Sequence, residues 1–338
     1  MTFWFDITNS PQVHFLLSIK NILGENDSEF EAIYTTRDFS ETNKLASKFI
    51  GDNYTSVGKH YGKSYINKIL GLGIQTLDIK RLNLNYDISI SCGSERAVWN
   101  AFLSKKKSIT FGDNDQARQW THGHFADFGF FPDAISKEWL SGQGYTKDKT
   151  YRYHGYKEDI YLSFYSSDSS FLSSLPFDHY VVVRPENINA NYIRKSNIQS
   201  IVPELLKDLC RKGYNVLFLP RYDFDKQYAE GLDKIYIPSS PINGLDACYY
   251  ADAVLTGAGS FAREAACLGV PAFSFYAGKD LLSVDKQMIS QGKMFFSRDK
   301  DEIMSRLIKS NRSDTDLSRC ISVKDEISSK LKEVIFKK

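Results

Sequence analysis

Short apolar runs alternate with helical stretches along most of this chain, and that rhythm constrains its fold more than any other feature. Phe3–Ile7 reads as a strand followed by a helix over Pro11–Leu23. Phe30–Thr35 and Tyr86–Ser91 read as further strands, with the apolar helix Glu95–Leu103 behind the latter, and Ser108–Phe111 and Ala126–Phe131 follow. Strands separated by helices imply βαβ crossovers and a mostly parallel sheet. The rhythm lapses over Gly142–Ser174, where Gly, Ser, Tyr and Asp dominate, which reads as a linker and the entry to a second domain. It resumes with the strand Asp178–Arg184, the helix Gln199–Lys212 stopped by Gly213, and strands at Asn215–Leu219 and Lys234–Ile237. A helix at Leu245–Tyr250, a strand at Ala253–Thr256, a helix at Ser260–Leu268, a strand at Pro271–Phe275 and two final helices, Asp299–Lys309 and Val323–Phe336, complete it. The expected fold is α/β: two doubly wound, Rossmann-like domains, 1–165 and 166–338, with a cleft between them.

Composition removes other classes. The 338 residues suit two domains, and 43 Lys+Arg against 41 Asp+Glu leave a formal charge of +2, which argues against a nucleic-acid partner but not against a small anion. No run approaches the length of a membrane span, and the start, MTFWFDITNSPQVHF, lacks the pattern of a signal peptide. Five scattered cysteines without a CxxC indicate neither a disulfide framework nor a cysteine zinc site, so a cytoplasmic setting is expected.

The most informative motif is AVLTGAGSFAREAACLGVPAFSF, residues 253–275. A strand of small residues ends at Thr256, Gly257 and Gly259 make a tight loop open to close approach, and Ser260 is placed to cap the following helix. A helix start there would offer N–H groups and a positive dipole end to an anion, with Glu264 one turn in. The alternative is an ordinary strand-loop-helix packed by small residues.

This segment resembles the nucleotide-diphosphate loop of GT-B glycosyltransferases and UDP-N-acetylglucosamine 2-epimerases. By that resemblance Gly257, Gly259 and Ser260 would meet the phosphates and Glu264 the ribose. DITNSPQVHFL (6–16), GYKEDIYL (155–162), VVVRPEN (181–187), LPR (219–221), IPSSPINGLDACYYAD (237–252) and SVDKQMI (283–289) are similar, in order, to the domain of unknown function 354 family, a member of the GT-B group. The resemblance implies two Rossmann-like halves, with the nucleotide-sugar donor on the C-terminal one and the acceptor on the N-terminal one. It implies diphosphate-facing roles for Arg184 and Arg221 at strand ends, with a paired surface arginine as the alternative for each. Ser239–Gly244 would lie near the nucleobase, and Lys279, Asp285 and Lys286 near the sugar or β-phosphate. In the loop Thr8–Phe15, His14 is the candidate base that takes a proton from the acceptor hydroxyl, with a His packed at a helix start as the alternative. Asp6, Asn9 and Ser10 belong to the same loop region.

FGDNDQARQW, 111–120, carries Asp113 and Asp115 in a DxD spacing that metal-dependent GT-A transferases use. With two Rossmann-like halves expected, the pair instead reads as cleft-lining, orienting His14 or holding the acceptor. His122 and His124 have an HxH spacing but no third ligand nearby. No obligatory cofactor or divalent metal is expected. Lys59–Asn83 interleaves Lys59, Lys63, Lys68, Lys80 and Arg81 with Tyr61, Tyr65, Ile66, Ile69 and Leu70. That pattern fits a helix with one core face, or a surface that rests on a membrane or holds a lipid-linked acceptor.

The expected function is a metal-independent, inverting transfer of sugar from a nucleotide-sugar to a glycan or lipid-linked acceptor. A nucleotide-sugar 2-epimerase or hydrolase using Asp113, Asp115 or Glu95 is the alternative, though VVVRPEN departs from the HRREN of epimerases. A non-catalytic nucleotide-binding protein is the third reading.

Overall fold

The computed structural model describes residues 1–26, 29–38, 42–59, 65–187 and 199–336. The chain divides into two compact units, Met1–Phe164 with Arg319–Lys338, and Tyr165–Ser318.

The strands of the first unit are β1 (Thr2–Ile7), β2 (Glu31–Asp38), β3 (Thr55–Lys59), β4 (Ile88–Cys92), β5 (Lys107–Phe111), β6 (Phe128–Pro132) and β7 (Thr150–Tyr153). They form one sheet in the order β3-β2-β1-β4-β5-β6-β7, with every adjacent pair parallel. Its helices are α1 (Gln12–Asn26), α2 (Thr42–Ile50), α3 (Tyr65–Arg81), α4 (Glu95–Leu103), α5 (Trp120–Gly123), α6 (Lys137–Gly142) and α7 (Lys157–Leu162). The strand order reverses direction between β1 and β4, so the loops after these two strands flank the crevice where doubly wound sheets bind ligands.

Local chemistry explains the boundaries. Helix α4 begins at Ser94, whose hydroxyl accepts the Ala97 N–H, and Glu95 in its first turn complements the positive dipole end. It ends where Lys105 takes a left-handed φ of 54° and the Lys106 N–H returns to the Ala101 carbonyl.

The second unit contains β8 (Val181–Arg184), β9 (Val216–Phe218), β10 (Ile235–Tyr236), β11 (Ala253–Thr256), β12 (Ala272–Ser274) and β13 (Met294–Phe296), in the order β10-β9-β8-β11-β12-β13. All five pairings are parallel. Its helices are α8 (Ser170–Ser173), α9 (Val202–Arg211), α10 (Gly244–Tyr249), α11 (Gly259–Cys267), α12 (Ser283–Ser290) and α13 (Lys300–Ile308). Val181, Val183, Leu205, Leu209, Phe218, Leu255 and Ile303 are fully buried between sheet and helices, which is why these strands read as continuous apolar runs. Here the reversal lies between β8 and β11.

The stretch read as a linker, Gly142–Ser174, instead contains β7 and α7, and both belong to the first unit. The last helix, α14 (Ser318–Phe336), also returns to the first unit, whereas the expected division left it with the second. Among the contacts that hold it, Lys107 Nζ donates to the Val334 carbonyl at 2.8 Å, Tyr151 donates to Glu326 at 2.7 Å, and Arg319 pairs with buried Asp159 at 2.8 Å. Residues 60–64 of Lys59–Asn83, including Tyr61 and Lys63, lie outside the described residues, as do the side chains of 65–69.

Candidate functional site

In the second unit, Thr256 pairs in register with Arg184, so the ends of β11 and β8 lie level. The Gly257 N–H donates to the Arg184 carbonyl at 3.0 Å, and the Thr256 hydroxyl accepts the Ala258 N–H at 2.9 Å, which folds the loop tightly. The next neighbour decides what Gly257 is for. A Cβ there would lie 2.4–2.8 Å from the Cγ, Cα and Cβ of Glu186. Gly257 therefore makes room for Glu186 of the chain itself, where the sequence suggested room for a ligand.

Glu186 is 1% exposed. It accepts from Ser200 Oγ at 2.6 Å and Arg298 Nη1 at 3.1 Å, and Arg298 also donates to the Phe275 and Gln199 carbonyls. This hub ties the ends of β8, β12 and β13 to the approach of α9.

Helix α11 starts at Gly259, with Ala258 in the capping position and no capping side chain. The N–H groups of its first turn therefore lack an intrahelical or capping partner, an anion-binding arrangement in a helix. Ser260 does not cap, contrary to expectation; it is the second helical residue, and its hydroxyl accepts from Arg263 Nη2 at 3.3 Å. Arg263 also pairs with Asp285 of α12 at 2.8 Å, with both side chains nearly buried. This pair lies directly behind Gly259, whose added Cβ would be 3.2 Å from Arg263 Nη1. Asp285 thus braces the helix start through Arg263, a residue the sequence reading passed over.

Arg184 lies over the Phe261 ring at 5.7 Å. Burial drives the thiol of Cys248 in α10 well up in pKa; Glu264 adds to this and Arg184 opposes it, so both charged groups lie near that thiol. Arg221 follows β9, next to β8. Asp225 accepts the N–H groups of Arg221 and Tyr222, both at 2.9 Å, and fixes the turn. The Arg221 guanidinium has no hydrogen-bond or ion-pair partner among the described residues, and its Nε is buried. Ser239, Lys279 and Lys286 are exposed. The second unit thus sets Arg184 and the α11 start at its reversal point, with Arg221 after the next strand, β9, and Glu264 further along α11.

In the first unit, Gln12 joins the loops at the corresponding point. Its Oε1 accepts the Thr8 N–H at 2.9 Å and its Nε2 donates to the Cys92 carbonyl at 2.9 Å. Asn9 is exposed and Ser10 half-buried in the same loop. Asp6 is fully buried and spent on structure. Arg96 meets it at 2.6 and 2.9 Å, Thr35 donates to it at 2.7 Å and Ser94 also donates. Burial opposes ionisation of Asp6, but the Arg96 charge and these donors outweigh it and hold the carboxyl below its usual range.

His14 packs edge-on against Phe49 of α2 at 4.6 Å. Burial, then the charge of Lys48, pushes its pKa down, and no carboxylate hydrogen-bonds the ring among the described residues. It lacks the orienting acid expected of a catalytic base. Glu95 accepts from the Thr121 hydroxyl. Asp113 is paired with Lys157 of α7 at 2.7 Å, both side chains about nine-tenths buried. Burial pushes the neighbouring Cys92 thiol up to about 11, with Lys157 opposing and Asp113 and Glu158 adding, so these groups share one neighbourhood. Glu158 is 1% exposed. Asp115 is half-buried within the turn in which Asn114 Oδ1 accepts the Gln116 and Ala117 N–H groups. Lys157 and Glu158 were visible in GYKEDIYL but carried no local spacing that marked them. His122 and His124 do not act as a pair: His122 is 2% exposed, its pKa lowered by burial to about 4, and His124 is exposed.

Comparison with solved structures supports the fold. A Methanocaldococcus jannaschii UDP-GlcNAc 2-epimerase in complex with UDP-GlcNAc and UDP superposes with a TM-score of 0.71 at 15% identity, covering 98% of this chain and 99% of that one. The Neisseria meningitidis UDP-GlcNAc 2-epimerase bound to UDP-GlcNAc gives 0.68 at 12% identity, covering 100% of both chains. The glycotransferase of kitacinnamycin gives 0.62 at 8% identity, covering 98% of both. The chain has the two-domain Rossmann-like layout of the GT-B group. An uncharacterized protein of Methanocaldococcus jannaschii is 24% identical over 314 residues, 89% of each chain. The family model described as protein of unknown function (DUF354) matches residues 1–335, and the chain belongs to that family.

Proposed function

We propose that this protein is a sugar-nucleotide enzyme that transfers a sugar from a nucleoside diphosphate to an acceptor hydroxyl. The observation that carries the reading is the uncapped start of α11 at the β8–β11 reversal point, with the Arg221 guanidinium, which has no partner among the described residues, one strand away. Helix N–H groups and arginine suit a diphosphate, and the UDP complexes of the structural neighbours support that ligand class. Arg184 and Arg221 would offset its charge, and Glu264 would accept from ribose hydroxyls.

In the transfer, the acceptor oxygen bonds to the anomeric carbon as that carbon's bond to the diphosphate oxygen breaks. The acceptor proton goes to a general base, and the nucleoside diphosphate leaves with the bonding pair. The α11 dipole and arginines stabilise the leaving group without a metal.

A second reading, 2-epimerisation, is favoured by the number of epimerases among the neighbours. It would remove the C2 proton with loss of the nucleoside diphosphate from C1 to leave a C1–C2 double bond, then add the nucleoside diphosphate back to C1 as a proton joins C2 from the opposite face. Incubation of UDP-GlcNAc with the protein in D₂O, followed by NMR, separates the two. The transferase reading expects no deuterium at C2 and turnover only when a sugar acceptor is added. Deuterium at C2 without acceptor overturns it in favour of epimerisation.

A further inference from the structure

Ser260 accepts a hydrogen bond from a group that can only give one. Arg263 Nη2 lies 3.3 Å from the Ser260 Oγ, and a guanidinium has no acceptor, so the serine oxygen takes that bond and its own proton points elsewhere. Among the described residues this hydroxyl donates to no acceptor. The carbonyl one turn back, that of Thr256, already receives the Phe275 N–H at 3.0 Å. Ser260 is the second residue of α11, and Cα–Cβ bonds in a helix lean towards its N-terminus. The serine side chain is thereby set beside the uncapped helix start, with a proton left to give. Arg263 is held in this pose from the other side. Its Nη1 donates to Asp285 Oδ1 at 2.8 Å, and the two residues are 3% and 4% exposed. One guanidinium arm thus goes to α12 and the other to Ser260. Asp285 also offsets the Arg263 charge at close range, so what Arg263 adds at the helix start is direction more than field.

On the diphosphate reading of this helix start, we infer that Arg263 is a positioning residue that acts through Ser260. It occupies one lone pair of the serine oxygen and leaves the hydroxyl proton for a phosphate oxygen of the bound nucleoside diphosphate. The Ser260 hydroxyl then joins the N–H groups of the first turn as a donor, and a hydrogen bond to a charged oxygen is the strong kind. Asp285 serves by holding Arg263. This sets Arg263 apart from Arg184 and Arg221, whose part is charge.

Isothermal titration of the full chain with UDP, GDP, CDP, ADP and dTDP finds the diphosphate that binds, and the variants are then titrated with that compound. Ser260→Ala should bind it about tenfold more weakly and, unliganded, melt within about 2 °C of wild type. Ser260→Thr, which keeps a hydroxyl, should bind within about threefold of wild type. Arg263→Lys keeps a charge for Asp285 but loses the forked second arm, and should weaken binding about fivefold. In the double variant the lysine should add less than about twofold to the loss from Ser260→Ala, because both act on one bond. Unchanged binding by Ser260→Ala, or losses that multiply in full in the double variant, overturns the inference and leaves the diphosphate site standing. Failure of wild type to bind any of these compounds overturns the diphosphate site itself, and the role of Arg263 with it.

Discussion

Gly257→Ala is expected to destabilise the second unit severely. The new Cβ would lie 2.5 Å from the Glu186 Cα, a backbone atom that no side-chain rotation can move away. Displacing Glu186 also disturbs its pairing with Arg298 and its hydrogen bonds to Ser200 and the Ile201 N–H. Overpacking of this kind costs about 1–3 kcal/mol or more, and the loss of bonds to a buried carboxylate places this site at about 3. For a unit of this size that lowers the melting temperature by roughly 6–12 °C. Gly259→Ala is the control. Its Cβ would lie 3.2 Å from Arg263 Nη1 and 3.9 Å from Asp285 Oδ2, with no backbone atom beyond its own helix and chain neighbours within 4 Å, so its melting temperature should stay within about 2 °C of wild type. Calorimetric melting of both variants is the check. If Gly257→Ala melts like wild type but loses nucleotide binding, the glycine serves the ligand and the assignment to Glu186 is wrong.

Arg96→Met is expected to cost about 3–5 kcal/mol in denaturant unfolding, the range for breaking a buried ion pair by removing one partner. Arg96 bonds twice to Asp6 and also reaches the carbonyls of Val57 and Thr36 and the side chain of Gln75. Removing it strands the Asp6 carboxylate and frees acceptors on β2, β3 and α3 together. The exposed Lys106–Asp87 pair, 3.9 Å apart, provides the contrast: Lys106→Met should change stability by less than about 1 kcal/mol. The pair also has a pH signature. The Asp6 pKa is lowered in the folded state, so its stabilisation is complete above the unfolded carboxylate value of about 3.9 and is lost as pH falls through the lower folded value. Arg96→Met should lose that part of the acid transition. A wild-type acid profile in this variant would show that Asp6 does not carry it.

The elements legible in the sequence were those whose burial is written locally. Ala253–Thr256 and Glu95–Leu103 are observed with the bounds their patterns implied, because a run of small apolar residues before glycine, and a Ser-Glu start before apolar spacing, are local signals. β7 was hidden because Thr150–Tyr153 is an edge strand, TYRY, only half-buried over most of its length. β13 has three residues and no alternation. The return of α14 rests on contacts with residues such as Lys107 and Asp159, more than a hundred positions away. The site followed the same rule. The glycine loop could be found by spacing, but what Gly257 accommodates could not. The pairs Arg263–Asp285, Glu186–Arg298 and Asp113–Lys157 join residues on different elements, and one sequence does not encode which charge meets which.

Nucleotide binding at the α11 start is the central claim, and thermal unfolding against UDP, GDP, CDP, ADP, dTDP and CMP with their sugars tests it most directly. At about one hundred times its dissociation constant, the cognate nucleoside diphosphate sugar should add about 2.7 kcal/mol. Gly259→Asp, which adds a negative charge at the α11 start beside the Arg263–Asp285 pair, should remove that gain relative to the unliganded variant by repelling the diphosphate. Absence of stabilisation by every nucleotide, or full stabilisation of Gly259→Asp, would contradict the claim.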